Sequence, residues 1–279
     1  MHKVALITGG SQGIGKEMAR AFGKAGYRVS ICSRTEADVK RAAEELSSEG
    51  FSCDGFALDV GNCGQVESEF SKTAKRLGRI DVLVTCAGIY GPIGPLEEND
   101  AQGWEQAMRI NLCGTAFCVR AVLPIMKKQK SGCIVTLAGG GVGGKNIKPN
   151  FSSYITSKFG VAGFTEAIAA ELEGMGITIN AISPGAVNTR LLDQVLSSKE
   201  KAGKFYEDSL KQKQDGGTPP KLACDLALFL AGEGGRKISG RLLSAVWDRG
   251  ESLSALEGLG KSQYTLRRID GELFCEADG

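Results

Sequence analysis

The sequence predicts an α/β fold: a doubly wound parallel sheet of about seven strands with helices on both faces. Three observations predict it. Short apolar runs alternate along the chain with longer segments of helical spacing, and strict β–α alternation implies parallel strands joined by helical crossovers. The runs "VALI", "DVLV" and "CIVTL" are apolar throughout, as strands covered on both faces must be. A glycine-rich turn, "TGGSQGIG", stands at the first strand–helix junction.

In order, a strand over Val4–Ile7 opens the chain and a helix follows over Ile14–Ala25. Val29–Cys32 is the second strand, Ala37–Ser48 the second helix, and Phe51–Leu58 a weaker strand signal. Gln65–Leu77 reads as helix, Val82–Thr85 as strand, and Ala101–Lys128 as one long helix. Ile134–Leu137 leads through glycines to a helix over Phe151–Met175, and Ile177–Ile182 is again strand. The polar, lysine-rich stretch 189–220, closed by "DGGTPP", is the least regular part. It is either a mobile flap over a ligand or an exposed helical excursion. Leu222–Ala231 and Leu242–Val246 supply the last helix and strand. No linker, repeat or second composition regime interrupts this order, so residues 1–248 read as one domain and 249–279 as a C-terminal extension.

Composition excludes several classes. The formal net charge of the 279 residues is +2, and no basic block lies beside an aromatic stripe, which argues against a nucleic-acid partner. No apolar run approaches the ~20 residues of a membrane helix, and "MHKVALITGG" is already strand and turn, without a signal-peptide pattern. The nine cysteines are odd in number and lack CxxC pairs, and Cys32, Cys86 and Cys133 sit in apolar runs as small hydrophobes. A reducing, cytoplasmic setting is therefore expected. The single histidine, His2, leaves neither a histidine-based zinc site nor a Ser-His-Asp triad, and no metal is expected.

In the first turn, Gly9, Gly13 and Gly15 let a phosphate approach the backbone, and the helix starting near Ile14 offers it unpaired N–H groups and a positive dipole end. The spacing is T-G-x-x-x-G-x-G, and here the chain resembles the short-chain dehydrogenase/reductases in their classical single-domain branch, with a Rossmann-like sheet. Further motifs fall into the same order from Lys3 to about Val246: "LDV", "TCAG", "INL", "YITSK" and "NAISPGAVNT". The resemblance implies a nicotinamide dinucleotide held by Gly9, Ser11, Gly13, Ile14 and Gly15 at the pyrophosphate. It places Asp59 and Val60 at the adenine, Ala87 and Gly88 along the cofactor, and Pro184, Gly185, Val187 and Thr189 at the carboxamide side. Thr85 and Cys86 stand where the family more often has asparagines. At the end of the second strand, Ser33 and Arg34 suit a ribose 2′-phosphate, so NADP(H) is preferred, with NAD(H) possible if Arg34 only stacks on adenine.

Tyr154 and Lys158 are four apart on a predicted helix and share a face. A nearby ammonium is expected to lower the phenol's pKa, so that it exchanges a proton with a carbonyl oxygen. The resemblance makes Tyr154 the acid/base, gives Lys158 the nicotinamide ribose, and has Asn111 support a water relay. It also calls for a serine after the fifth strand. Counting back from Tyr154 lands on Gly141, and aligning on "CIVTL" lands on Ala138 or Gly139, none with a hydroxyl. Thr136 falls within the strand, and Ser152 and Ser153 lie too close to the tyrosine in sequence. Either a backbone amide of Gly139–Gly141 or a held water takes over the oxygen contact, or the loop is a degraded site. Losing one preorganised donor costs ~10²–10³ in rate, which an enzyme survives.

The expected function is therefore an NADP(H)-dependent carbonyl reductase or alcohol dehydrogenase acting on a small-molecule substrate, as a homodimer or homotetramer built on the two long helices. A nucleotide-binding sensor or scaffold that lost catalysis with the serine is the alternative, and a lyase or epimerase ranks below both. The extension either caps the substrate pocket, joins a subunit interface, or packs on its own subunit.

Overall fold

The computed structural model describes residues 2–139, 141–143 and 147–248, together with Leu253 and Thr265. Seven strands form one sheet: β1 (Val4–Thr8), β2 (Arg28–Ser33), β3 (Cys53–Ala57), β4 (Val82–Thr85), β5 (Gly132–Leu137), β6 (Ile177–Ser183) and β7 (Leu242–Ser244). Every neighbouring pair is parallel, in the order β3-β2-β1-β4-β5-β6-β7. The order reverses between β1 and β4, which opens a crevice at the strands' carboxyl ends.

Period-2 alternation divides the core between the faces. Ala5, Ile7, Val82, Val84 and Val135 point to one side, where Met18 and Phe22 of α1 (Gly13–Lys24) and Leu226 and Leu230 of α9 (Pro220–Ala231) meet them. α2 (Glu36–Ser48) completes that layer with Val39 and Leu46. Leu6, Leu83 and Ile134 point to the other side, against Val66 and Phe70 of α3 (Cys63–Leu77) and Val119, Val122 and Met126 of α5 (Gly114–Gln129). The weak signal of β3 has a physical reason: it is an edge strand, and its side chains are only partly buried.

Three elements differ from expectation, and the irregular stretch takes one of its two expected forms. The long helix runs Ala101–Gln129 but in three parts: α4 (Ala101–Met108), a single π-type turn at Arg109–Cys113, and α5. By length and composition this helix could cross a bilayer, which corrects the reading that no segment qualifies; instead, its apolar side packs against the sheet, with Cys118, Val122 and Met126 fully buried. α6 (Ser152–Glu171) ends before Met175, because Gly174 and Gly176 take positive φ and turn the chain into β6. β7 stops at Ser244, where Asp248 accepts from the Ser244 N–H and returns its own N–H to the Ser244 carbonyl, closing a turn. The irregular stretch is helical: α7 (Arg190–Ser198), a short 3₁₀ turn and α8 (Lys204–Asp215). It docks through a third apolar cluster, Val195, Ala202, Phe205 and Tyr206 against Phe151 and Ile155 at the start of α6. Apart from Leu253, buried in the first core layer, and Thr265, the extension lies outside the described residues.

Candidate active site

A cleft runs across the carboxyl ends of β1, β2 and β4, lined by Gly9, Ser11, Gly13, Ile14, Gly15, Ser33, Arg34, Val60, Ala87, Gly88 and Thr189 among others. All are residues singled out from the sequence. The glycines are sterically required: a Cβ on Gly9, at φ +65°, would lie 2.8 Å from the Ala87 nitrogen, and one on Gly15 2.3 Å from the Gly9 carbonyl oxygen. Thr8 Oγ1 accepts from the Ala87 N–H at 3.2 Å and ties the two loops together. No side chain caps the amino end of α1, so its first amides face the cleft free for an anion. A bare backbone floor and an uncapped helix start fit the pyrophosphate of a nicotinamide dinucleotide. Asp59 is the exception: it is exposed, stands outside the cleft lining, and turns its carboxylate to the Gly61 N–H at 2.9 Å, while its neighbours Leu58 and Val60 line the cleft.

A second cavity, of about 320 Å³, adjoins the first, sharing Ile14, Thr189 and Leu191 with it. Tyr154, Pro184, Gly185 and Val187 line this one. Tyr154 projects from the first turn of α6, and Lys158 lies one turn on, its Nζ 5.6 Å from the Tyr154 ring centroid and donating to the Leu137 carbonyl at 2.7 Å. Asn111 is fully buried on the π-type turn. Its side chain clamps Ile89 from both sides, accepting from its N–H and donating to its carbonyl at 2.8 Å each, and donates to Ser157 Oγ at 2.9 Å. Both Nδ2 hydrogens are thereby used, and the Asn111 backbone carbonyl accepts from Thr115 Oγ1 at 2.8 Å.

The electrostatics differ from the sequence expectation. Burial pushes the Tyr154 phenol above its ordinary value, reinforced by Tyr90, where the sequence expectation was a lowering by Lys158. Burial also lowers Lys158 to about 8, opposed by the Cys86 thiol. In both groups the apolar surround disfavours charge, and the phenol therefore carries its proton, the form a carbonyl reduction consumes.

Of the three candidate serine positions, Gly139 faces Tyr154. A Cβ built there would lie 3.6 Å from Tyr154 Oη, whereas Ala138 is buried, its N–H bonded to the Ile182 carbonyl at 2.9 Å. Gly139 has φ +128° and Gly141 φ +88°, both strained for any side chain. Gly140 lies outside the described residues, and the expected amide contact of Gly139–Gly141 falls partly there. Gly139→Ser is expected to leave kcat unchanged or lower and to reduce the melting temperature, because a φ of this kind costs about 1–3 kcal/mol for a non-glycine residue. A tenfold gain in turnover would instead mark the loop as a degraded serine site.

Sequence reasoning missed the aromatic wall. Tyr90 stacks edge-on to Tyr154 at 4.5 Å and to Phe151 at 5.4 Å, and Phe151 to Phe205 at 5.2 Å. Ser153 Oγ donates to the Tyr90 carbonyl at 3.0 Å and fixes that loop. The signal available was an aromatic on each side of the motifs, "GIY" and "NFSSY". Lys148 and Gln212, also in the cavity wall, have no sequence signal. Among the described residues no cluster could hold a metal ion.

The short chain dehydrogenase family model matches residues 3–200. An uncharacterized oxidoreductase of Bacillus subtilis is 34% identical over 246 residues, covering 86% of this chain and 95% of that protein. A putative ketoacyl reductase of Streptomyces coelicolor is 33% identical over 253 residues, covering 87% and 95%. Among solved structures, an actinorhodin polyketide ketoreductase with NADPH superposes with a TM-score of 0.80 at 30% identity, covering 90% of this chain and 97% of the other. Levodione reductase gives 0.79 at 27%, with the same coverage. With its parallel sheet, its glycine-floored cleft and these matches, the chain belongs to the short-chain dehydrogenase family, NAD(P)-dependent oxidoreductases acting on CH–OH and C=O groups.

Proposed function

We propose that the chain reduces a carbonyl to an alcohol, or runs the reverse, with NADP(H) as preferred cofactor and Tyr154 as proton donor and acceptor. The observation that carries this reading is the pair Tyr154–Lys158 on one face of α6, with Tyr154 in the wall of the second cavity and Lys158 Nζ 3.8 Å from where a Cβ on Gly88 of the first would stand. When bound, the cofactor supplies or accepts the hydride. Gly9, Ser11, Gly13, Ile14 and Gly15 hold its pyrophosphate, Val60, Ala87 and Gly88 its middle, and Pro184, Gly185, Val187 and Thr189 its carboxamide end. Lys158 holds the ribose and keeps positive charge beneath the phenol. Tyr154 gives its proton to the carbonyl oxygen as the alcohol forms, and Asn111, clamping Ile89, keeps the adjoining loop in place. The aromatic wall excludes water around the reacting carbonyl.

Purified protein incubated with NADPH or NADH and a panel of aldehydes and ketones tests this by loss of reduced-cofactor absorbance. Turnover with NADPH supports it. NADPH binding without turnover across the panel returns the alternative of a nucleotide-binding sensor, which the intact Tyr154–Lys158 pair disfavours.

Preference for NADP(H) rests on Arg34, exposed at the cleft wall, in no ion pair among the described residues, beside Ser33. The NADPH-bound ketoreductase neighbour agrees. Arg34→Glu is expected to raise KM for NADPH by ~10–100-fold, since a charge-assisted bond becomes a repulsion, while KM for NADH moves only a few-fold. Equal changes for both cofactors would show that Arg34 only stacks on adenine. The eight described cysteines are all free, which supports a reducing, cytoplasmic setting. Family membership supports a homodimer or homotetramer, which light scattering measures.

A further inference from the structure

The cavity beside Tyr154 is walled mainly by apolar groups, Tyr90, Val142, Phe151, Ile155, Leu192 and Phe205 among them, and no carboxylate is among its described lining residues. Lys148 is the one cation among its described lining residues. It is half-buried, with Nζ 3.3 Å from the centroid of the Phe205 ring, and it forms no ion pair with any described residue. The nearest acidic influence is Asp208, which attracts the ammonium without pairing, while burial lowers its pKa. Among the other polar lining groups, which include Ser183 and Thr189, Gln212 is spoken for: its Nε2 donates to the Ala186 carbonyl and to Asn188 Oδ1, both at 3.0 Å. A cation held over a ring in a partly desolvated pocket gains more from an arriving anion than a surface lysine does. The rings Phe205, Phe151, Tyr90 and Tyr154 follow one another in three edge-on steps of 5.2, 5.4 and 4.5 Å. They join the lysine to the phenol along a continuous aromatic wall.

Resting on the reaction proposed above, we propose that Lys148 determines specificity, and that the substrate is an oxo acid whose carboxylate pairs with Lys148 while its carbonyl meets Tyr154. One ammonium without a second positive group matches a singly charged carboxylate better than a phosphate dianion. The aromatic wall between the two polar ends matches an apolar body of several carbons.

Calorimetric titration of the protein, with and without NADPH, tests this using phenylbutyrate, its uncharged amide phenylbutyramide, and phenyl phosphate. The wild type is expected to bind the acid ~10–100-fold tighter than the amide, the range of a charge-assisted contact. Lys148→Met should abolish that preference and Lys148→Arg should keep most of it. Equal affinity for acid and amide in the wild type, or an unchanged preference in Lys148→Met, overturns the proposal. So does tighter binding of phenyl phosphate than of the acid. A merely structural lysine, bracing α8 through Phe205, would weaken acid and amide alike and lower the melting temperature of Lys148→Met, which also overturns it. If the acid preference holds while no carbonyl in the panel turns over, the proposed reaction fails and the anion site stands.

Discussion

Tyr154→Phe is expected to lower kcat by about 10²–10⁴, the usual worth of a positioned general acid, with NADPH affinity changed by less than about twofold. The substitution removes one oxygen and little else. The ring keeps its edge contact with Tyr90, 4.5 Å between centroids, and its place over Lys158. The hydroxyl has no hydrogen-bond partner recorded among the described residues, so no protein group is orphaned and stability should hold. Because position 139 is a glycine whose absent Cβ would stand 3.6 Å from Tyr154 Oη, no serine hydroxyl at that position can take over the proton. The loss converts to about 3–5 kcal/mol of transition-state stabilisation. Steady-state rates on a carbonyl found active, with calorimetric binding of NADPH, decide the matter. A fall of less than tenfold would assign the proton to another source, with Ser183 in the same cavity wall the first to replace.

Much of this architecture was legible because buried parallel strands and amphipathic helices carry dense local signals. β1, β4 and β5 read directly as apolar runs, and the sheet alternates its core residues from face to face as the pattern requires. The edge strand β3 gave a weak signal since its side chains are half in water. α7 and α8 were ambiguous for a different reason: their few apolar residues, Val195 and Phe205 among them, serve a small cluster and leave most of each helix polar. At the site, chain order and spacing located the residues of the cleft lining, while only three-dimensional contact shows that position 139 faces Tyr154 Oη and that Ala138 is buried in the strand. Asp59 is exposed beside the cleft residues Leu58 and Val60, with one carboxylate oxygen accepting from the Gly61 amide, a placement that the motif alone does not specify. Lys148 was illegible altogether, because a lysine in a polar loop looks like any solvated charge until Phe205 arrives from another helix.

Lys158→Met should cost two or more orders of magnitude in turnover and, at pH 7, make the protein more stable. The ammonium is 6% exposed and burial holds its pKa at about 8, against an ordinary value of 10.5. Between those values the unfolded chain keeps the proton and the folded chain releases it, so the wild type gains stability as pH rises through that window. Below about pH 8 the folded state carries the full penalty of a desolvated cation, on the order of 3 kcal/mol. Methionine removes it. Part of the gain is offset, since the Leu137 carbonyl loses the donor that met it at 2.7 Å, a loss of roughly 1 kcal/mol. A net gain of about 1–2 kcal/mol corresponds to a rise of about 2–6 °C in Tm for a chain of this size. That rise should shrink as pH approaches 10, and comparing the two proteins at each pH cancels the opposing titration of Tyr154, whose raised pKa makes stability fall with pH above its ordinary value. Calorimetry at pH 7 and pH 9.5 is the measurement. A lower Tm for Lys158→Met at pH 7 would mean that the lysine is structural, an ammonium the fold depends on; a higher one, joined to lost turnover, identifies a buried charge that destabilises the fold and persists because proton transfer at Tyr154 requires it.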